Sequence, residues 1–215
     1  MLAYIKRLIP IGLFRRLQPA YHFLMGYLAA LYYRFPSRQL LLIGVTGTTG
    51  KTSTVYLIAR ILQANGYKSG YTSTAQFNDG ENEWLNDKKM TMPGRFFLQR
   101  TLRRMVKNGC SAAVVETTSQ GIEQFRHRFI NYDFVLFTNL YPEHIEAHGS
   151  FENYKKAKGK LFAHLSRCRC KYLDDGKKVV LRPSGLRQTE LTKVKKTIIV
   201  NGDDIQAPYF LSFPA

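Results

Sequence analysis

The chain has 215 residues, of which 45% are apolar and 22% are charged, a composition that excludes wholesale disorder and fits one domain with a small appendage. Its 32 lysines and arginines outnumber 15 aspartates and glutamates, so the net charge is +17 and the expected partner is anionic: a phosphorylated substrate, an acidic membrane surface or a nucleic acid. Three cysteines cannot all pair in disulfides, and Cys110, Cys168 and Cys170 lack the spacing of a zinc site. We therefore expect free thiols in a reducing compartment.

The first 38 residues are a basic segment that is predicted to be helical and amphipathic. Its uncharged stretch 17–33 lies between Arg16 and Arg34, and no acidic residue occurs before Asp79. This stretch is shorter than the roughly 20 apolar residues that a membrane-spanning helix needs, and no signal-peptide cleavage site follows it. Three interpretations stay open: a helix that docks on the rest of the protein, a helix in peripheral contact with an anionic membrane through residues 1–36, and a membrane-spanning helix.

Beyond Pro36, short apolar runs alternate with amphipathic stretches. Such runs are typical of strands that are buried in a parallel sheet, and a 3.6-residue periodicity indicates helices. The predicted strands are 39–45, 68–74, 111–116, 132–138, 177–182 and 197–201, and the predicted helices are 52–65, 96–107 and 151–165. The polar residues 79–89 are predicted to form a loop. Strands that alternate with helices imply an α/β fold, with a mostly parallel sheet and flanking helices.

The strongest motif is Gly44-Val-Thr-Gly-Thr-Thr-Gly-Lys-Thr-Ser53, between the first predicted strand and the first predicted helix after it. In such a loop the backbone N–H groups and the helix N-terminus bind phosphate, Lys51 reaches the β- and γ-phosphates, and Thr52 offers a hydroxyl to Mg²⁺. Val45 occupies a position where the strict P-loop pattern has glycine. The residues expected to bind ATP here are Gly47, Thr48, Thr49, Gly50, Lys51, Thr52 and Ser53.

This variant loop resembles the ATP loop of the Mur ligases, which usually has asparagine where this chain has Thr49. Three longer motifs follow in that family's order. Glu116-Thr-Thr-Ser-Gln-Gly121 resembles the Glu-Val-Ser-Ser-His/Gln-Gly segment of the ligases that extend the muramoyl dipeptide. Thr138-Asn-Leu-Tyr-Pro-Glu-His144 resembles Thr-Asn-Leu-x-x-Asp-His, with glutamate in place of the usual aspartate. Tyr154-Lys-Lys-Ala-Lys158-Gly-Lys-Leu-Phe162 resembles Tyr-x-x-Ala-Lys-x-x-Leu-Phe.

The resemblance implies ATP and Mg²⁺ as cofactors, with Lys51, His144 and Lys158 as catalytic residues. It implies that Thr52 and Glu116 bind Mg²⁺, and that His144 contacts a second Mg²⁺. It also implies that Lys158 is carbamylated and acts as a metal ligand. Carbamylation converts the lysine cation into a carboxylate-like anion, whereas an unmodified ammonium repels metal ions. If the resemblance is set aside, each residue has an alternative interpretation. Glu116 is then equally well interpreted as a cap of the following helix. His144 is interpreted as a surface residue, and Lys158 as part of a basic, solvated helix face.

Two lesser segments agree with the same family. Thr91, in Thr-Met-Pro-Gly, resembles the first threonine of the subfamily's Thr-Thr-Pro, and with Ser119 and Arg126 it is implied to bind the UDP-sugar peptide substrate. Asn201, in Asn-Gly-Asp-Asp, resembles an asparagine that lies near the adenine. We interpret His148 as structural.

The resemblance covers residues 40–204, and it implies a P-loop NTPase-like central domain in residues 39–215 that is incomplete at its C-terminus and follows the segment 1–38. Because family members normally have a substrate domain before this one and an amino-acid-binding domain after it, we expect these 215 residues to bind ATP and Mg²⁺ without ligation. The implied activity is the addition of an amino acid to UDP-N-acetylmuramoyl-L-alanyl-D-glutamate through an acyl phosphate. The expected location is the cytoplasm, at the inner face of the membrane because of the basic segment 1–38.

Two alternatives stay open: a related ligase such as a folylpolyglutamate or cyanophycin synthetase, and a catalytically inactive ATP-binding protein. Ser119 together with Arg126 argues against the first. No nucleic-acid partner is expected, because no aromatic-rich recognition motif accompanies the basic residues.

Overall fold

A computed structural model of the chain describes residues 11–88, 90–143, 145–174, 176–181 and 191–215. The helices are α1 (Ile11–Tyr32), α2 (Lys51–Ala64), α3 (Arg95–Lys107), α4 (Ser119–Glu123), α5 (Ile145–His148), α6 (Phe151–Leu165) and α7 (Ala207–Leu211), with a short 3₁₀ helix at Pro36–Gln39. The strands are β1 (Leu41–Thr46), β2 (Ser69–Thr72), β3 (Gln76–Asn78), β4 (Glu83–Leu85), β5 (Ala112–Glu116), β6 (Phe134–Phe137), β7 (Lys171–Leu173), β8 (Val179–Val180), β9 (Thr192–Val194) and β10 (Thr197–Val200).

The main sheet has the strand order β10-β6-β1-β5-β2-β3-β4. The first five strands of this order pair in parallel, and β3 and β4 add an antiparallel edge. Every residue of β1 and of β5 is buried, as expected for strands covered on both faces. The predicted α/β fold with a mostly parallel sheet and flanking helices is confirmed.

Helices cover both faces of this sheet. Successive residues of a strand point to opposite sides, so neighbouring residues of β1 contact different helices. Leu42 lies in the larger core cluster, together with Leu102 of α3 and Leu161 of α6. Ile43, the next residue of β1, lies in a second cluster with Val55 of α2. The strand that leads into the phosphate loop is therefore held from both sides.

The structure corrects the prediction of a loop over residues 79–89. Strand β4 lies within this range and pairs antiparallel with β3, across a turn in which Asp79 Oδ1 accepts the N–H groups of Glu81 and Asn82 at 3.2 and 2.8 Å. Trp84 is half-buried against Phe77, with ring centres 5.8 Å apart. A strand of three residues at a sheet edge gives almost no periodic signal, which explains the error.

A second, three-stranded antiparallel sheet has the order β8-β7-β9. β8 falls within the predicted strand 177–182, of which residue 182 lies outside the described residues, whereas β7 and β9 were not predicted. Lys171 of β7 joins the two sheets, because its buried Nζ donates to Leu40 O at 2.6 Å and to Asp133 Oδ2 at 2.5 Å. β7 and β9 contain polar and charged residues of this kind, so they do not form the apolar runs by which strands were predicted.

Helix α1 packs against α3 and continues further toward the N-terminus than the predicted stretch 17–33. Its contact side combines small and aromatic residues: Ala29 and Ala30 are buried, a Cβ on Gly26 would lie 3.0 Å from the Phe129 ring, and the Phe23 ring centre lies 5.0 Å from that of Phe129. This packing agrees with the docking interpretation of the segment. Within the described ranges, no helix combines the length and the apolar character needed to cross a bilayer.

Candidate nucleotide-binding site

The carboxyl ends of the parallel strands meet at one edge of the main sheet, which is where open α/β sheets bind ligands. The glycine-rich loop follows β1, and Glu116 is the last residue of β5, the neighbour of β1 on one side. Asn139 follows β6, the neighbour of β1 on the other side, and Thr74 follows β2. Strand order alone therefore gathers residues that are up to 91 positions apart in the chain.

Two glycines shape the phosphate loop. Gly47 has φ 155°, and a Cβ there would lie 1.9 Å from Thr138 Oγ1, so no side chain fits between β1 and the segment after β6. Gly50 has φ 75° and is the N-cap of α2. A residue with a Cβ would be strained at this left-handed conformation. Their positions direct the loop across the N-terminus of α2, the positive end of the helix dipole.

Asn139 fixes the loop from outside. Its Oδ1 accepts the N–H groups of Thr48 and Thr49 at 3.2 and 2.9 Å, and its Nδ2 donates to Thr49 Oγ1 at 3.2 Å. Thr138 Oγ1 donates to Thr49 O at 2.8 Å. The hydroxyl of Thr49, which replaces the family's usual asparagine, thus links the loop to Asn139. No role was predicted for Asn139, although it lies inside the 138–144 motif.

Two lysines flank the loop. Lys51 Nζ donates to Thr48 O at 2.6 Å, and Lys158 Nζ donates to Gly47 O at 2.7 Å. Lys158 is 1% exposed. Burial, reinforced by the Lys51 charge, lowers the pKa of Lys158 from 10.5 to about 7. Burial also lowers the pKa of Lys51, against the opposing effect of the Glu116 and Glu143 carboxylates.

Glu116 connects the loop to the next strands. It is 1% exposed, and its Oε2 accepts from Thr52 Oγ1 at 3.0 Å and from Thr74 N at 2.8 Å. Thr74 Oγ1 donates to Glu116 Oε1 at 3.0 Å and lies 2.8 Å from Thr91 Oγ1. Thr118, and not Glu116, caps α4, so the interpretation of Glu116 as a helix cap is wrong. Thr74 carries no sequence motif, and only the fold brings it here.

The residues present fit a magnesium nucleotide. Thr52 and Glu116 place a hydroxyl and a carboxylate, both hard oxygen ligands, side by side at the start of α2. The described residues contain no group of three or more His, Cys, Asp or Glu side chains that could form an all-protein metal site. Mg²⁺ is usually bound by one or two carboxylates together with substrate phosphates. His144, the other implied metal contact, lies outside the described residues.

The three implied substrate residues share one cavity of about 240 Å³. Its walls include Thr91, Ser119 and Arg126. Arg126 donates to Met92 O and, at 2.6 Å, to Gln124 Oε1, which orients its guanidinium. Ser119 Oγ lies 3.0 Å from Nε2 of His148, the residue that was interpreted as structural, so that histidine lies beside the candidate substrate site.

The remaining two predicted residues lie at the margin of the site. Ser53 is exposed in the first turn of α2. Asn201 follows β10, two strands away from β1, and its N–H donates to Phe137 O at 3.0 Å. Nearby, Asp204 Oδ2 accepts Leu140 N at 2.7 Å, which joins this segment to the one after β6.

Comparison with known proteins agrees with this geometry. Residues 45–206, most of the chain, match the Mur ligase middle domain. The chain belongs to the Mur ligase family. It is 39% identical over 141 residues to a UDP-N-acetylmuramyl-tripeptide synthetase from Roseiflexus sp., a match that covers 65% of this chain and 28% of the relative. It is 35% identical over 193 residues to the protein of that name from Borreliella afzelii, covering 88% and 37%.

Solved Mur ligase structures share the fold. A structure of UDP-N-acetylmuramoyl-L-alanyl-D-glutamate–2,6-diaminopimelate ligase superposes with a TM-score of 0.60 and 25% identity, over 80% of this chain and 29% of that one. MurF from Acinetobacter baumannii superposes with a TM-score of 0.54 and 18% identity, over 88% and 32%, and shows the fold alone. The chain spans between 28% and 37% of the length of these Mur ligases.

Proposed function

We propose that this chain is the ATP-binding part of a peptidoglycan-precursor ligase that adds an amino acid to UDP-N-acetylmuramoyl-L-alanyl-D-glutamate. The observation that carries the proposal is the convergence of Lys51, Thr52, Glu116 and Lys158 on one glycine-rich loop. The names of the relatives, a tripeptide synthetase and a diaminopimelate ligase, support this substrate class. Residues 39–215 constitute the proposed ATP-binding domain, and residues 1–38 a separate basic segment.

The proposed reaction has two steps. The free carboxylate of the substrate attacks the γ-phosphoryl group of ATP, so that a carboxylate O–P bond forms while the P–O bond to ADP breaks. The amine of the incoming amino acid then attacks the acyl carbon, loses a proton, and expels phosphate as the C–N bond replaces the C–O bond. The first step concentrates negative charge on the phosphoryl oxygens, and catalysis consists of stabilising and positioning that charge.

The residues of this chain divide that task. The loop amides and Lys51 bind the β- and γ-phosphates, and Thr52 and Glu116 would hold Mg²⁺, which when bound neutralises phosphate charge. Lys158 is proposed to take up CO₂ as a carbamate. Its pKa of about 7 supports this proposal, because only a neutral amine reacts with CO₂. His144 is proposed as a second metal contact on the family resemblance alone.

The substrate side of the site is proposed to be the cavity that contains Thr91, Ser119 and Arg126. A guanidinium held in place by two acceptors suits a bidentate grip on a carboxylate or phosphate of the muramoyl peptide. Asn201 is proposed to lie near the adenine. We also propose a cytoplasmic location at the inner face of the membrane, since the cysteines are free thiols and the segment 1–38 is basic.

Nucleotide titration tests the ATP site. The chain, mixed with MgCl₂ and a fluorescent ATP analogue, is expected to bind the nucleotide, and Lys51→Ala should weaken binding about 10- to 100-fold because one charge-assisted contact to phosphate is lost. Lys156→Ala is the matched control, because Lys156 is an exposed lysine on α6. Equal affinities of the Lys51 and Lys156 variants would refute the phosphate-loop assignment.

Substrate binding tests the ligase class. With a non-hydrolysable ATP analogue and Mg²⁺ present, UDP-N-acetylmuramoyl-L-alanyl-D-glutamate is expected to bind, measured by calorimetry, and a folylglutamate is not. Arg126→Lys should weaken this binding about tenfold by removing the bidentate grip, whereas Arg100→Lys, at an exposed position of α3, should not. Preference for the folylglutamate would assign the chain to the other branch of the superfamily.

A further inference from the structure

Helix α1 presents an exposed apolar stripe on the side that faces away from the protein. The stripe residues are spaced by four, three, four and three positions, so they lie within one narrow sector of the helix. Each is between 38% and 54% exposed. We call these residues the α1 stripe: Leu17, Tyr21, Leu24, Leu28 and Leu31. Gly26, Ala29 and Ala30 lie on the opposite, buried side.

A stripe of this length extends over about four helical turns and contains no charged residue. Monomeric proteins seldom leave a contiguous apolar surface of this kind in water, and such a surface usually marks a site of interaction with a protein or a membrane. Phe23 and Tyr27, on the flank of the stripe, are also exposed by 44% and 41%. The apolar surface is therefore broader than the two-position seam of a coiled coil.

Cations lie at both ends of this surface. Arg16 precedes the stripe, and a cavity of about 480 Å³ at the other end of α1 is lined by Tyr32, Tyr33 and five basic residues. We call these five the arginine cluster: Arg34, Arg100, Arg103, Arg104 and Lys107. Arg104 pairs with Asp79 at 2.5 Å, and within the described part of the chain the other four form no ion pair.

Charge decides which occupant fits. A second copy of the chain seated on the stripe would bring two sets of these cations together, and like charges at an interface are unfavourable. A nucleic acid would satisfy the arginine cluster and leave the apolar stripe in water. An anionic lipid surface satisfies both, because apolar side chains enter the boundary between headgroups and acyl chains while cations contact the phosphates.

We propose that the α1 stripe and the arginine cluster together form a docking surface for an anionic phospholipid membrane. This assignment goes beyond the ligase function and does not depend on it. Phe23 of α1 lies edge-on to Phe125, with ring centres 6.4 Å apart, and Phe125 directly precedes Arg126, which lines the candidate substrate cavity. α1 therefore lies next to the candidate substrate cavity, and docking would hold that cavity close to the lipid surface.

Vesicle sedimentation tests the proposal. The full chain is mixed with vesicles of phosphatidylcholine alone or of equal parts phosphatidylcholine and phosphatidylglycerol, and we expect binding to the anionic vesicles that weakens with added KCl. Leu24→Glu combined with Leu28→Glu should reduce binding at least about tenfold. Arg100→Gln combined with Arg103→Gln should reduce it by about fivefold per cation removed.

The matched control for the stripe variant is Leu57→Glu combined with Ile61→Glu. These two side chains of α2 are 57% and 61% exposed and four residues apart, so the control adds the same charge at the same spacing elsewhere. The controls for the arginine pair are Lys193→Gln and Lys195→Gln, at exposed positions around β9. Each control should bind vesicles within about twofold of the unmodified chain.

Three results would overturn the proposal: no binding of the unmodified chain to anionic vesicles, equal losses in the stripe variant and its α2 control, or a dimer in light scattering that the stripe substitutions dissociate. The last result would assign the stripe to a second copy. Titration of each variant with a fluorescent ATP analogue separates this proposal from the ligase proposal. A variant that loses vesicle binding and keeps nucleotide binding supports the docking surface. If the stripe variant loses both vesicle binding and nucleotide binding while the other variants keep nucleotide binding, the proposal is contradicted.

Discussion

Lys158 is a buried lysine whose replacement by methionine is expected to stabilise the nucleotide-free protein. Its ammonium donates to Gly47 O at 2.7 Å and lies 4.5 Å from the centre of the Tyr154 ring. Burial and the Lys51 charge lower its pKa from 10.5 to about 7, which means that folding takes the charged form out of water at a cost. Methionine fills a similar volume without that cost.

The size of the effect follows from the two pKa values. Between pH 7 and pH 10.5 the unfolded chain binds more protons at this lysine than the folded chain, so the free energy of unfolding rises with pH across that window. The shift corresponds to a cost on the order of 4 kcal/mol at pH 7 and about 2 kcal/mol at pH 9. Loss of the hydrogen bond to Gly47 offsets about 1 kcal/mol. Lys158→Met should therefore stabilise by about 3 kcal/mol at pH 7 and about 1 kcal/mol at pH 9.

Urea denaturation followed by circular dichroism measures this, in CO₂-free buffer without nucleotide, at both pH values. Lys156→Met, at an exposed neighbouring position, is the control and should change stability by less than about 0.5 kcal/mol. Burial also lowers the pKa of Lys171, to about 8, but that lysine titrates equally in every variant and cancels in the comparison. A Lys158→Met protein that is less stable than the unmodified chain, or that keeps its pH dependence, would refute the reasoning.

The same lysine gives a spectroscopic readout. At pH 8 an amine with a pKa of about 7 is neutral in about 90% of molecules, against about 0.3% for an ordinary lysine. With ¹³C-bicarbonate present, a carbamate carbon resonance is therefore expected in the unmodified chain and in Lys156→Arg, and none in Lys158→Arg, because arginine stays protonated. A resonance that survives Lys158→Arg would place the carbamate elsewhere.

Three further outcomes are expected. Glu116→Gln keeps an acceptor for Thr52 but loses the charge, so Mg²⁺ should no longer raise ATP affinity in titrations with and without MgCl₂; an undiminished Mg²⁺ effect would contradict this. Asn139→Asp puts a negative charge beside the loop and should weaken ATP binding at least about tenfold, with little change in melting temperature. Burial lowers the pKa of His164 to about 4, so the free energy of unfolding is expected to fall by about 3 kcal/mol in all as the pH falls from 6.5 to 4. His164→Gln should flatten this pH dependence in urea titrations.

The sequence predicted the elements that combine length with a clear pattern. Helix α6 occupies the predicted range 151–165, and the predicted strand 111–116 is found as Ala112–Glu116. The elements that were missed are short, such as the three-residue edge strand β4, in which the single residue Trp84 packs against Phe77. Such strands form because a neighbouring strand offers hydrogen bonds, and this information lies far away in the chain.

The candidate site divides in the same way. Lys51 and Thr52 were predicted from the phosphate-loop motif, because phosphate chemistry restricts which residue types occur in the loop, and Lys158 was predicted from the resemblance to the family. Thr74 and Asn139 had no assigned role, since what places them in the site is contact across 42 and 90 positions of the chain. Threonine and asparagine are common in turns, so their residue types alone do not distinguish a ligand-side residue from an ordinary turn.

Strand register determines whether these residues form a site at all. In the parallel pairing of β5 with β1, Glu116 lies opposite Val45, two residues before Gly47. A slip of one residue would move Glu116 by about 3.3 Å and turn its side chain to the other face of the sheet, away from Thr52. The register is held by the alternation of Val114 and Val115 between the two core clusters, so a slip would exchange their environments as well. The apolar core thus fixes the distance between the carboxylate and the phosphate loop, and substitutions that repack β5 should alter Mg²⁺-dependent ATP binding without touching either group.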